Sequence, residues 1–178
     1  MRTLKILLVL VAVILSGFSR DSQTNENVFL KKRTGAEVVV PLKYWGGTIP
    51  DLSSGRTPCT PEAYGASIVS AGWLQGHQTH GGKLIPELST WEIPSCTFTG
   101  TESISQCTGT ITVANGDSYN FSAIMVINPF TTVVTANVTI NDGVGRFEGV
   151  TGQMTLNGTL GSGAVVTWSG EGFLIFPK

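Results

Sequence analysis

Short runs in which apolar and polar residues alternate recur along the chain. In one of them Val134, Ala136, Val138 and Ile140 alternate with polar neighbours, and residues 154–160 repeat the same period of two. No long segment keeps the 3.6-residue apolar period of an amphipathic helix. A strand with the two-residue period has one buried and one solvated face, which is typical of antiparallel sheet. The pattern therefore predicts an all-β protein.

Turn signals separate these runs. The strongest is Asn115-Gly116-Asp117, because asparagine and glycine tolerate positive φ angles. Pro94 predicts a bulge within a strand, since proline cannot donate to the sheet. Further turn signals lie at Gly81-Gly82, Asn128-Pro129, Asp142-Gly143 and Gly161-Ser162-Gly163. Together they predict about eight strands, near residues 37–45, 66–77, 83–98, 104–114, 118–127, 133–141, 146–160 and 164–176.

About eight strands joined by short turns predict a single antiparallel up-and-down barrel, in which closure removes the exposed sheet edges. A two-sheet β-sandwich is the alternative. The long irregular stretch from Gly46 to Tyr64 contains three prolines and Cys59. We expect it to cover one end of the barrel, with a short helix near residues 61–64.

The segment 141–152 is rich in glycine and predicts a tight turn followed by a strand that bends. Gly145, Gly149 and Gly152 are interpreted as structural glycines that allow the bending and close approach of strands in a barrel. Arg146 and Glu148 are two residues apart, so we expect them on one strand face. They would form a surface ion pair there, or contact a ligand at the barrel rim.

A family resemblance rests on this segment. Residues 145–152 read Gly-Arg-Phe-Glu-Gly-Val-Thr-Gly, similar to the Gly-Arg-Phe-x-Gly-Ala-x-Gly signature of barrels related to allene oxide cyclase and dirigent proteins. Residues 79–82, 114–117 and 169–175 resemble further motifs of bacterial secreted or lipoprotein members, in the same order. The resemblance spans roughly residues 66–176 and implies the barrel fold. It also implies homo-oligomers that associate through their outer faces.

The N-terminal residues predict export. Residues 1–19 combine Arg2 and Lys5 with an apolar run from Ile6 to Leu15, as a signal peptide does. That run is too short for a stable membrane span. A lipoprotein box follows, but Phe18 replaces its cysteine, so we expect no lipid anchor and a periplasmic or extracellular protein. Residues 20–35 are predicted to form a flexible tether and residues 36–178 the barrel domain.

The three cysteines allow one disulfide in an exported protein. A turn at residues 100–103 would place Cys96 opposite Cys107 on neighbouring strands. The family resemblance instead pairs Cys59 with Cys96 and leaves Cys107 as an extra thiol. We favour the pairing of Cys59 with Cys96.

Candidate chemistry is sparse. His77 and His80 are the only histidines, and no third ligand lies near them, so we predict no metal and no cofactor. Nucleophile-elbow, phosphate-loop and zinc-protease motifs are absent. The net charge of −1 and the lack of a basic patch argue against nucleic acid. The candidate ligand contacts are Trp73, Trp91, Trp168, Arg146 and Glu148.

These observations predict an exported barrel that binds a small apolar or amphipathic ligand. Trp168 lies in phase with Val166, Gly170 and Gly172, which places it on the buried face. Two alternatives stay open: an isomerase or cyclase that acts inside the barrel, and a cell-envelope interaction or carbohydrate-binding module with exposed tryptophans. A cavity lined by Trp and Phe and open at one end favours ligand binding or the cyclase, and a buried carboxylate or tyrosine inside that cavity favours catalysis.

Overall fold

The computed structural model describes residues 37–177, so the predicted signal peptide and tether lie outside the described residues. Short 3-10 turns occur at Glu62–Tyr64, Pro86–Leu88, Gly145–Phe147 and Ser162–Ala164. Within the described range the chain forms eleven strands: β1 Glu37–Pro50, β2 Arg56–Thr60, β3 Ser67–Val69, β4 Ala71–Gln78, β5 Gly82–Lys83, β6 Thr90–Phe98, β7 Ser103–Thr112, β8 Ser118–Ile127, β9 Val133–Val144, β10 Thr151–Leu160 and β11 Val166–Pro177.

Eight of these strands pair into a closed ring. Going round it, β4, β6, β7, β8, β9, β10, β11 and β1 each pair with the next, and β1 pairs again with β4. Every pairing in the ring is antiparallel. Except for β11 with β1, each pairing joins two strands that are consecutive among the eight ring strands, with β2, β3 and β5 lying outside the ring. This confirms the predicted all-β, up-and-down, barrel-like fold. Among residues 37–177, no helix is long and apolar enough to cross a lipid bilayer.

Several local predictions are confirmed. The register of β6 against β7 shifts between Glu92 and Ser95, so a bulge does occur at Pro94. The Asn115-Gly116-Asp117 turn joins β7 to β8, with Gly116 at a positive φ of 90°. The short helix near residues 61–64 is the 3-10 turn Glu62–Tyr64.

The expectation of a wholly irregular stretch from residue 46 to residue 64 is wrong. β1 continues to Pro50, because Gly46 to Pro50 pair with β4. Residues 56–60 form β2, which makes a small hairpin with β3, called here the flap. The flap lies beside β6, since β2 pairs in parallel with β6 at Cys59 and Thr60.

A disulfide fixes the flap to the ring. The sulfur atoms of Cys59 and Cys96 are 1.94 Å apart, as the favoured pairing requires, and both residues are buried. Cys107 is free and buried. Cys96 lies opposite Ser105 rather than Cys107, because the turn begins at Thr99 and the Thr99 amide donates to the Glu102 carbonyl. The alternative pairing of Cys96 with Cys107 is therefore wrong.

One end of the ring, called the closed end, is filled by side chains from the glycine-rich segment. Phe147 is fully buried there, edge-to-face with Tyr119 at a ring distance of 5.1 Å and stacked with Phe176 at 6.1 Å. Val150 is also fully buried. Segment 145–150 thus plugs the ring, and β10 begins only at Thr151.

This arrangement corrects three predictions. The strand expected from residue 146 is a 3-10 turn up to Phe147, so Arg146 and Glu148 do not share a strand face. The turn expected at Asp142-Gly143 lies within β9, which runs to Val144. The chain turns after Val144 instead, because the Asp142 carboxylate accepts hydrogen bonds from the amides of Gly143 and Gly149. These bonds hold the pKa of Asp142 below its ordinary value.

The disulfide generates the first prediction. Removing it in the double variant Cys59→Ala, Cys96→Ala frees a loop whose ends are 37 residues apart. The free energy of unfolding should fall by about 3–4 kcal/mol, chiefly because the unfolded chain gains entropy. Urea unfolding measures this loss, and reductant should destabilise only the parent protein. A Cys96–Cys107 peptide in the unreduced digest would contradict the pairing.

The plug generates the second prediction. Phe147→Ala should lower the free energy of unfolding by about 3–5 kcal/mol, because it leaves a void against Tyr119 and Phe176. The matched control is Phe130→Ala, since Phe130 is 74% exposed in the turn after β8. That control should change stability by less than about 0.5 kcal/mol. Equal losses in both variants would mean that segment 145–150 does not plug the ring.

Candidate functional site

The interior of the ring holds a cavity, called here the lumen, of about 230 Å³. Most of the side chains that line it are apolar and come from the inner faces of the ring strands. Two alanines, Ala123 and Ala136, face it where neighbouring positions carry larger residues. Its aromatic and methionine side chains are Tyr44, Trp91, Phe121, Met125, Met154 and Trp168.

The lumen reaches the surface at the end opposite the plug, which we call the mouth. Four of its lining residues are exposed there: Arg56 and Ser67 on the flap, Pro129 after β8 and Ala164 before β11. The predicted cover over one end of the barrel therefore corresponds to the flap, although the flap leaves an opening.

Polar groups are concentrated at the mouth. The Arg56 guanidinium donates from Nε to the Ser67 hydroxyl and from Nη2 to the Ser67 carbonyl, both at 2.7 Å. These bonds hold the guanidinium beside the opening. The ion pairs among the described residues join Lys43 to Glu171 and Arg146 to Asp117, so Arg56 has no carboxylate partner within residues 37–177.

A buried polar cluster lies on the inner side of the plug. The Tyr119 hydroxyl donates to the side-chain oxygen Oε1 of Gln78, and the Tyr44 hydroxyl donates to the Gln75 backbone carbonyl at 3.0 Å. Burial raises the pKa of both tyrosines, so both hydroxyls stay protonated. Tyr44 also lines the lumen and brings a polar atom towards its inner end.

Two further hydrogen-bonding groups lie on the inner face of β7. Cys107 lines the lumen, and burial, reinforced by the charge of Glu92, raises the pKa of its thiol to about 12. Ser105 is two residues away on the same face, and its hydroxyl is buried without a hydrogen-bond partner among the described residues. The thiol is therefore neutral near pH 7, and Ser105 is not among the residues that line the lumen.

The candidate ligand contacts fall in three places. Trp91 and Trp168 line the lumen and are 8% and 7% exposed. Trp73 lies on the outer face of β4 and lines a separate groove. Arg146 and Glu148 lie beside the plug, where Arg146 pairs with Asp117 at 3.2 Å. Neither lines the lumen.

The structural glycines have distinct surroundings. Gly145 and Gly149 adopt positive φ angles of 69° and 67°, which suit turns rather than a bending strand. Gly152 lies in β10, where a Cβ atom would collide with the backbone of Phe173 on β11. Of these three glycines, Gly152 alone therefore permits a close approach of two ring strands.

The two histidines do not converge with other ligands. His77 stacks on Trp45 on the outer face, with ring centres 5.7 Å apart, and His80 lies in the turn before β5. Within residues 37–177, no group of three His, Cys, Asp or Glu side chains is placed to hold a metal ion.

Sequence reasoning missed the polar residues of the mouth and the inner end. Thr48, Arg56 and Ser67 reach the lumen because β1 extends beyond its predicted end and the flap folds beside β6. Leu42 and Tyr44 are two residues apart and both lie on the buried face of β1. This two-residue period was the sequence signal that could have placed Tyr44 in the interior.

Comparison with known proteins does not identify a family for this chain. Searches against protein-family models, curated proteins and solved structures find no match to this chain.

Proposed function

We propose that the protein binds a small apolar or amphipathic molecule in its lumen. The observation that carries this proposal is a cavity of about 230 Å³, lined by tryptophan, phenylalanine and methionine side chains, that reaches the surface at the mouth. Removing an apolar ligand from water into such a cavity is favourable in proportion to the apolar area buried.

The size and polarity of the cavity define the ligand class. Pockets for drug-sized ligands are about 300–1,000 Å³, so this lumen suits a smaller molecule. Its apolar lining would surround the body of the ligand. Thr48, Arg56 and Ser103 line the mouth and would contact a polar group at the ligand's outer end. This distribution supports an amphipathic ligand whose polar group stays near water.

The interior supports binding better than catalysis. The ionisable side chains that line the lumen are Tyr44, Arg56 and Cys107. Tyr44 is a buried tyrosine of the kind expected for catalysis, but burial raises its pKa and its hydroxyl already donates to the Gln75 carbonyl. The pKa of Cys107 is raised as well. An isomerase or cyclase would require a general base or an activated nucleophile, and neutral groups of this kind do not supply one.

Export from the cell and a family relationship are part of the same proposal. A role in the periplasm or outside the cell is supported by the signal-like residues 1–19 and by the disulfide between Cys59 and Cys96. A relation to allene oxide cyclase and dirigent-like barrels is supported by the glycine motif and by the up-and-down order of the ring strands.

Filling the lumen tests the proposal. Ala136 lines the cavity between Met125 and Leu156, whereas its neighbour Thr135 faces outward on the same strand. Hexanol and octanol are suitable probes, and methyl-labelled Met125 and Met154 report on the lumen by NMR. We expect the alcohols to shift both methyl signals in the parent protein and in Thr135→Leu. They should not shift them in Ala136→Leu.

Stability provides the control for this experiment. Ala136→Leu should unfold at a similar or higher temperature than the parent, because the added methyl groups fill a void. Alcohols that leave both methionine signals unmoved in the parent, up to their solubility limits, would refute lumen binding. An equal loss of response in Thr135→Leu would refute the placement of the site.

The thiol of Cys107 provides a test with a defined pH dependence. The thiolate is the reactive form, and its fraction should rise about tenfold per pH unit between roughly pH 9 and pH 11, because the thiol pKa is about 12. A small uncharged reagent such as methyl methanethiosulfonate should therefore react ever faster over this range, and octanol should slow it. A cysteine within a short unstructured peptide, with a thiol pKa of about 8.5, is the reference, and its rate levels off above about pH 9.5. A similar plateau for Cys107 would contradict the buried, lumen-facing thiol.

A further inference from the structure

A groove crosses the outer face of the ring over β4, β6, β7 and β8. Its volume is about 580 Å³, and it lies on the opposite side of the sheet from the lumen. Neighbouring strands are about 4.8 Å apart, so a groove across four strands is about 14 Å long. Its size exceeds the lower limit of about 300 Å³ for ligand pockets.

One wall of the groove begins with an aromatic ring. The strand register places Trp73 opposite Thr90, Thr90 opposite Thr110, and Thr110 opposite Asn120. The side chain of Trp73 is 36% exposed, so its ring is available to a ligand. The Thr110 hydroxyl donates to the Asn120 carboxamide oxygen at 2.8 Å, while the Asn120 amide nitrogen has no partner among the described residues.

The other wall carries a carboxylate. Glu92 lies opposite Ala71 on one side and Thr108 on the other, and the Thr108 hydroxyl donates to Glu92 at 3.2 Å. Asp51 adds a second carboxylate to the groove. Hydrogen bonds from the Ser53 hydroxyl and amide lower the pKa of Asp51, so this group is ionised at neutral pH.

The floor of the groove is bare backbone at two glycines. Gly72 and Gly109 lie between the two walls and pair on either side of Trp91, whose side chain points into the lumen. Because these three positions face the lumen, only backbone separates the two walls on the outer face, and a ligand can approach the sheet closely there.

We propose that this groove binds an oligosaccharide of uncharged sugars, with one sugar ring stacked on Trp73. The electron-rich face of an indole attracts the polarised C–H groups on the apolar face of a sugar ring. Sugar hydroxyls both donate and accept hydrogen bonds. They match the carboxylate acceptors of Glu92 and Asp51 and the free amide donor of Asn120.

The charge of the groove selects among carbohydrates. Its lining includes Glu92 and Asp51 but no lysine or arginine. Uronic acids and sulfated sugars would meet two negative charges without a compensating cation, and like charges disfavour such partners. The site is independent of the lumen, because Trp73 and the groove walls face outward.

Two tryptophans provide a matched pair of variants. Trp45 is also exposed on the outer face, on the neighbouring strand β1, but it stacks on His77 and does not line the groove. Calorimetric titration of a panel of neutral tetrasaccharides, made of β-1,4-glucose, β-1,3-glucose, α-1,4-glucose, β-1,4-mannose and β-1,4-N-acetylglucosamine, should detect at least one that binds. Trp73→Ala should weaken that binding at least about tenfold, and Trp45→Ala should leave it within about twofold.

Two further variants and one charged sugar complete the test. Glu92→Gln should also weaken binding and removes only a charge at an exposed position, so it serves if Trp73→Ala unfolds. Ala136→Leu should leave sugar binding unchanged, which separates this site from the lumen. The proposal is overturned if no neutral tetrasaccharide binds at up to roughly 10 mM. It is also overturned if trigalacturonic acid binds as strongly as the neutral sugars, or if Trp45→Ala causes the same loss as Trp73→Ala.

Discussion

The pairing of β1 with two neighbours closes the ring, and the lumen depends on that closure. Gly46 is paired with Trp168 on β11 and also with Gly76 on β4. A Cβ atom at Gly46 would lie only 2.8 Å from the Gly76 Cα atom and 2.7 Å from the Tyr44 hydroxyl, so the strands cannot approach this closely with any other residue. The interior of an eight-stranded ring is narrow. Large inward side chains fill it completely, whereas small ones leave a cavity.

Side-chain size decides that question differently at the two ends. At the closed end Phe147, Tyr119 and Leu174 are fully or almost fully buried and occupy the interior. Nearer the mouth, Ala123 and Ala136 project little into the ring. The cavity therefore arises from small residues at particular inward positions. The disulfide holds the flap beside the mouth without filling it, and this preserves the opening.

The ring strands were predictable because each has one buried and one solvated face, but the ends of the ring were not. Arg146 and Glu148 are exposed and Phe147 between them is buried. This alternation fits a strand as well as the 3-10 turn that forms. The turn is decided by Asp142, whose carboxylate bonds to Gly149 seven residues later, a contact that no local pattern reveals. In the candidate site, the burial of Trp168 followed from alternation. Arg56 could not be placed, because the flap's position depends on its pairing with β6.

Trp91 connects the two proposed sites through a thin wall. Its indole lines the lumen, and the glycines that pair with it, Gly72 and Gly109, lie on the same inner face of the sheet. A Cβ atom at Gly72 would lie 2.8 Å from the Trp91 ring, and one at Gly109 would lie 2.7 Å from the Phe121 ring. The two glycines thus make room for large side chains inside the ring. They are explained by packing of the lumen, whereas the groove is shaped by the outward-facing side chains of its two walls.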